Sequence, residues 1–188
     1  VATAKAVSYI NATPVFADVN INDWTINTES LQKLITKKTK AIMPVHLYGQ
    51  PSNMEKILKI AKKHKLYIVE DAAPAIGAEY KNKKCGTFGN FGAFSFQGAK
   101  LLVSGEGGML VTNDKKLYKK ALKISNHGRS EKKQFYIDGP GVKYKMSNIQ
   151  AALAYGQLSR IEVLIALKRR IFSWYEKHLK NINSLSLN

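Results

Sequence analysis

Apolar and polar positions along the chain change period repeatedly, from short apolar runs to three-and-four spacing and back. The segment "ATPVFADV", residues 12–19, predicts a strand entered through a proline, and Ser30 to Lys38 predicts a helix. "KAIMPVHLYG", residues 40–49, is a short apolar run closed by a glycine, the pattern of a buried strand. Ser52 then stands before "NMEKILKIAKKHK" with Glu55 three residues on, a capping-box spacing that predicts a helix start. "LYIVEDAA", residues 66–73, predicts a second buried strand. Strand, helix and strand at this spacing form a βαβ unit, so the pattern implies an α/β fold with a largely parallel sheet between helices.

After Ala75 the pattern shortens. "AEYKNKKCGTFGNFGAFSF", residues 78–96, places turn residues at Asn82, Gly86, Gly89 and Gly92 between short aromatic strands. "GGMLVTND" predicts a further strand, ending where Asp114 caps the helix "KKLYKKALKIS". Residues 126–147, polar and rich in Gly, Pro and Tyr, predict a long functional loop. From Asn148 to about Leu179 an amphipathic helical pattern runs, interrupted near Glu162. The division this implies is a large domain over 1–150, with 151–188 forming a long helix and the start of a smaller domain.

Composition narrows the classes. The apolar fraction of 45% is that of a chain that buries a core, and no apolar run is long enough to span a bilayer. The start, "VATAKAVSYI", has no initiator Met, no signal-peptide pattern, and begins mid-period, which implies a piece of a longer protein. A single cysteine, Cys85, excludes an internal disulfide framework and fits a reducing cytoplasm. The net charge of +17 invites nucleic acid, anionic lipid or phosphorylated small molecules as partners. The lysines, however, alternate with Leu and Ile at helical spacing and there is no Arg-rich tract. This is the pattern of a solvated basic surface, and neither nucleic acid nor membrane is expected as a partner. The four His and one Cys show no metal-ligand spacing.

Within this lysine-rich chain, "FSFQGAKLLVSGEGG", residues 94–108, sets Lys100 between small and apolar neighbours, a setting suited to an amine that must lose its proton. Asp71 lies just beyond the apolar "LYIV", where open α/β sheets hold their ligands. Singly, each has a plain structural account: a turn aspartate, a lysine in a glycine-rich turn. "GEGG" has the spacing of neither a Walker loop nor a dinucleotide fingerprint.

Together, an acid at a strand end, Ser95 after an aromatic strand and Lys100 five residues further on resemble a pyridoxal-phosphate site. The wider match is to the DegT/DnrJ/EryC1/StrS sugar aminotransferases of fold type I. It is carried by "ATPVFADV", "TKAIMPVHLYGQPSNM", "IVEDAAPAIGAEY", "GTFGNFGAFSFQGAKLLVSGEGGMLVTND", "NHGR" and "GVKYKMSNIQAALAYGQL", in the family's order over nearly the whole chain. The resemblance implies a mixed, mainly parallel sheet between helices, the cofactor pyridoxal 5'-phosphate, and a homodimer with shared active sites. It implies that Lys100 is the Schiff-base lysine and proton shuttle, that Asp71 pairs with the pyridine nitrogen, and that Ser95 binds the cofactor phosphate.

Three positions depart from the family's pattern. Pro74 stands where many relatives have a Gln or His contacting the cofactor's phenolic oxygen, and proline has no such donor. Lys143 replaces an Asn that reaches the phosphate of the partner subunit's cofactor, and Lys5 replaces a residue that is often Asn. His46 in "PVHLYG" and His127 with Arg129 in "NHGR" are candidates for the substrate side. The resemblance also places the family's phosphate loop and ring-stacking aromatic residue before Val1.

The implied reaction is amino transfer from glutamate to a nucleotide-diphosphate 4-keto-6-deoxy sugar in the cytoplasm. "PVFADVNINDWTIN" and "GVKYKMSNIQAAL" look most like the perosamine-synthase branch, which aminates C4. Two alternatives within the fold are a noncatalytic regulatory protein and a 3-dehydratase of the same sugars. That dehydratase branch usually has His at the position of Lys100.

Overall fold

In the computed structural model, which describes residues 1–187, helices α1 (Ala2–Ser8) and α2 (Thr28–Leu34) precede the short strand β1 (Ala41–Ile42). Helix α3 (Met54–His64) leads into β2 (Tyr67–Asp71), and a small hairpin of β3 (Glu79–Tyr80) and β4 (Lys83–Lys84) follows. Then come β5 (Phe91–Ser95), β6 (Gly108–Val111), α4 (Lys115–Ser125), α5 (Asn148–Leu158) and α6 (Ile161–Leu179). The main sheet has the order β1-β2-β5-β6. Strands β1, β2 and β5 are parallel, and β6 closes the edge antiparallel to β5. The mixed, mainly parallel sheet is the one expected.

One face of this sheet is packed. Ile42 and Ile68, register partners on β1 and β2, meet Met54, Ile57, Ile60 and Ala61 of α3 and Leu31 of α2 in a single buried cluster. The apolar positions of α3 fall at three- and four-residue spacing, so one stripe faces the sheet and Lys56, Lys59, Lys62 and Lys63 face solvent. The opposite face carries Tyr67, Val69, Phe91, Ala93 and Leu110. It lies along a groove of about 1010 Å³, bounded by Leu117, Ala121 and Ile124 of α4 and by residues 142–146.

Several local expectations change. "ATPVFADV" forms no strand: Val19 makes one bridge to Ile26, and Val15 and Phe16 stand 68% and 74% exposed. Side chains take the backbone donors a ladder needs, since Asp18 N–H donates to Ser30 Oγ and Val19 N–H to Asp18 Oδ1. The helix expected over Ser30 to Lys38 is α2, which starts at Thr28 because Asn27 caps it, accepting from the amides of Glu29 and Ser30, and ends at Leu34. The strand expected over 40–49 shrinks to two residues plus a bridge from Val45 to Asp71, with Pro44 supplying an acceptor but no donor. Ser52 is not the cap of α3. Asn53 is, and Ser52 is buried with its hydroxyl donating to Val45 O.

Further along, the pattern holds more closely. Asp114 caps α4 through the amides of Lys116 and Leu117. Ser147 and Gln150 form a reciprocal capping box at the start of α5. The interruption expected near Glu162 falls at Ser159–Arg160, between α5 and α6, and buried Ile165 of α6 packs against Gly77. Among the described residues, no helix is long and apolar enough to cross a membrane.

Ile57 is fully buried at the centre of the α3–sheet contact. Ile57→Ala in the full-length protein is expected to lower unfolding free energy by about 2–5 kcal/mol. Urea unfolding with an unchanged m-value checks this.

Candidate functional site

The strand β2 presents alternate residues to opposite faces, and its last two, Glu70 and Asp71, are both acids. Ile68 and Glu70 point to the packed face, while Val69 and Asp71 point to the groove face. The two carboxylates therefore have different surroundings despite being neighbours.

Glu70 is completely buried. Its Oε1 accepts the amides of Phe88 and Gly89, at 2.7 and 2.6 Å, and its Oε2 accepts the amide of Gly86 at 2.7 Å. His46, equally buried, lies with Nε2 3.0 Å from Oε2. Ser52 N–H donates to His46 Nδ1 at 3.1 Å, so the ring proton sits on Nε2 and is given to the carboxylate. Burial acts to raise the Glu70 pKa, but the bonds from His46, Gly89 and Gly86 more than reverse it and hold the carboxyl below its usual range. Close by, burial and the Glu70 charge push the Cys85 thiol up to about 12, leaving it an inert core group.

His46 was a substrate-side candidate. Here it has no exposed surface and both ring nitrogens are used within the protein, so it ties 44–52 to β2 and does not line an open site. The backbone repeats the tie, with His46 N–H donating to Asp71 O and Asp71 N–H to Pro44 O.

Asp71 ends β2 half-buried, opposite Ala93 of β5. Its Oδ1 accepts the amide of Ala73 at 3.1 Å and its Oδ2 accepts the hydroxyl of Thr3 at 2.6 Å. Ser95 lies two residues beyond Ala93, hence on the same face and at the same end of the sheet. Its Oγ accepts from Gln97 N–H, and among the described residues its own proton has no acceptor.

Lys100 follows in a loop held at both ends: Phe96 N–H donates to Gly107 O, and Ser104 N–H donates to Phe96 O. Phe96, Leu102 and Ser104 are buried, so the half-buried Lys100 rides on a pinned loop. Among the described residues, no carboxylate lies within ion-pair distance of Lys100, as for most lysines of the chain; those paired are Lys59, Lys81, Lys84 and Lys123. Asp71, Ser95 and the Lys100 loop thus meet at the carboxyl ends of the strands. Pro74 sits in the turn directly after Asp71, where Ala75 N–H donates to Ala72 O.

The other candidates lie further along the chain. His127 and Arg129 belong to a turn whose Gly128 approaches Gly139 so closely that a Cβ there would come within 2.1 Å of Gly139 O. His127 is half-buried and Arg129 is exposed. Lys143 bridges Asn126 and lines the groove, whose wall includes none of Asp71, Ser95 or Lys100. The groove is an uncovered apolar sheet face beside the candidate site. Thr3 and Glu70 were not singled out from the sequence. Glu70 had a signal, a charge at the alternation position of buried Ile68, and Thr3, 68 residues from its partner, had none.

An acceptor, a hydroxyl and an amine at the ends of parallel strands form a donor set that suits a phosphorylated, nitrogen-containing aldehyde. Comparison with known proteins agrees: residues 1–187 match the aminotransferases of the DegT/DnrJ/EryC1/StrS type. The chain belongs to the DegT/DnrJ/EryC1/StrS aminotransferase family. It is 44% identical over 185 residues to a GDP-perosamine synthase of Escherichia coli O157:H7, covering 98% of this chain and 50% of that protein. PseC of Helicobacter pylori, an aminotransferase involved in pseudoaminic acid biosynthesis, superposes with a TM-score of 0.92 at 35% identity, over 97% of this chain and 49% of PseC. An E. coli GDP-4-keto-6-deoxy-D-mannose-3-dehydratase with bound hydrated PLP superposes with a TM-score of 0.82 at 30% identity, over 89% of this chain and 47% of that one. The chain spans about half the length of the curated relatives it matches.

The depressed Glu70 value sets a pH dependence. Its stabilisation is fully present above the unfolded value of about 4.3 and is lost as pH falls through the lower folded value. Glu70→Gln presents an NH₂ group to backbone donors and is expected to cost about 3 kcal/mol or more at pH 7. The variant also lacks that acid-side loss. Denaturant unfolding between neutral and acid pH reads both effects.

Proposed function

We propose that the full-length protein is a pyridoxal-phosphate-dependent aminotransferase acting on a nucleotide-diphosphate 4-keto-6-deoxy sugar, with glutamate as amino donor. The observation that carries this is the convergence of Asp71, Ser95 and the Lys100 loop at one end of one sheet face, in a chain of this family. When bound, the cofactor supplies an electron sink for the pair left behind as a substrate C–H bond breaks. Lys100 anchors the cofactor through its Nζ and moves the proton between carbon atoms. Asp71 keeps a proton on the ring nitrogen by presenting a charged acceptor to it. Ser95 donates its hydroxyl proton to the phosphate.

Similarity to the GDP-perosamine synthases supports amination at C4 of the sugar. The dehydratase likeness favours a second reaction on the same kind of sugar, but Lys100 stands where that branch usually has His. Within this reading, Pro74 borders the cofactor without donating to it, and His127 and Arg129 face the substrate. Residues 139–148, with Lys143, approach the partner subunit's cofactor in a homodimer. The large domain ends near residue 150, and α6 leads into the smaller one. The enzyme works in the cytoplasm, where sugar nucleotides are available.

The test uses full-length protein loaded with pyridoxal phosphate, glutamate and a panel of nucleotide keto-sugars, with products read by mass. Borohydride is expected to fix the cofactor on Lys100, and label on another lysine overturns the assignment. Lys100→Ala is expected to lose turnover by on the order of 10⁴-fold or more. Asp71→Asn is expected to bind the cofactor but turn over at least about 10²-fold more slowly.

A further inference from the structure

Helix α1 buries none of its residues. Among the described residues, a single hydrogen bond joins it to the rest of the protein: Thr3 Oγ1 donates to Asp71 Oδ2 at 2.6 Å across 68 residues of sequence. All other hydrogen bonds of residues 2–8 stay within 1–12. The short distance and the charged acceptor mark this as a charge-assisted bond.

We propose that Thr3 is a positioning residue of the site, orienting the Asp71 carboxylate toward the cofactor's ring nitrogen and docking α1 on the strand ends through the same bond. The proposal rests on the function given above and adds a residue to it.

A carboxylate has about four acceptor positions and turns about its own bond, so one partner leaves its plane undefined. Asp71 has two partners on different oxygens: the amide of Ala73 at Oδ1 and the Thr3 hydroxyl at Oδ2. Together they fix the plane and leave one acceptor position on each oxygen for a third donor. The amide is part of the turn after β2 and cannot be varied by a side chain. The hydroxyl is therefore the adjustable half of the clamp. Threonine suits this because its branched Cβ restricts χ1 in a helix, so the hydroxyl is presented from few positions. Both donors are neutral, so neither sets a positive charge beside Asp71 to compete with the ring nitrogen, as a lysine or arginine partner would.

The test compares full-length wild type, Thr3→Val and Thr3→Ser. Val keeps the shape and removes the donor, and Ser keeps the donor. Measured are the visible absorption band of protein saturated with pyridoxal phosphate, kcat and KM for glutamate, and amide hydrogen exchange of residues 2–8 in cofactor-free protein. Thr3→Val is expected to shift the visible band, lower kcat about 10- to 100-fold with KM for glutamate little changed, and speed exchange in α1. Thr3→Ser is expected to restore all three. A Thr3→Val protein with the wild-type band and kcat overturns the proposal, even if exchange in α1 rises, because the bond is then only a tether. If Thr3→Val fails to fold, Thr3→Ala, which also removes the donor, takes its place under the same criteria. If wild type takes up no pyridoxal phosphate, the proposed function falls and this inference with it. Uptake by wild type with no difference between the three proteins removes the inference alone.

Discussion

The buried carboxylate of Glu70 is the constraint on which the rest of this site depends. An ionised group without water must be met by donors, and here four converge: the amides of Gly86, Phe88 and Gly89 and the ring of His46. Those donors come from two separate stretches of chain, one after the β3–β4 hairpin and one after β1. Satisfying the charge thus fixes where both stretches lie against β2. Because strand residues alternate, the residue after Glu70 must face the other way. The position of Asp71 on the groove face is a geometric consequence of anchoring Glu70 on the packed face.

The same anchor shapes the approach to β5. Gly92 sits so near Gly86 that a Cβ would come within 1.9 Å of Gly86 O, a contact with backbone that nothing can relieve. Glu70 holds the Gly86 amide from the other side. The loop is therefore compressed between a carboxylate and a strand, and β5 enters the sheet in one register, with Ala93 opposite Asp71 and Ser95 one step beyond. Asp71 and Ser95 are thus set relative to each other by main-chain packing.

How much of this was legible depends on whether the deciding contact was local. Helices α3 and α4 lie within a residue of their expected ranges, because amphipathic spacing and a nearby cap are local signals. The βαβ order, and Asp71 at a strand end, follow from the same patterns. The failures share one cause. "ATPVFADV" has strand composition but its amides are taken by Asp18 and Ser30, the second of these in a helix twelve residues away. His46 looked like a strand-end group facing substrate, and only the fold shows that a buried acid and a backbone amide use both its nitrogens. Thr3 carried no signal, since an alanine-rich helix gives no reason to pair its threonine with an acid 68 residues on.

The separation of acid and amine is the last piece of chemistry the fold accounts for. A carboxylate beside a lysine stabilises the lysine's proton, which defeats an amine that must act as a nucleophile. In this chain four surface lysines have found carboxylates, as a net charge of +17 and thirteen acids would allow. Lys100 has none within ion-pair distance among the described residues, and Asp71, the acid at its end of the sheet, already takes its hydrogen bonds from a hydroxyl and an amide. Two neutral donors orient the acid without bringing a positive charge beside it. In the function proposed above, Asp71 holds a proton on one atom of the cofactor while Lys100 releases one near another, a division of roles that a direct Asp71–Lys100 ion pair would abolish.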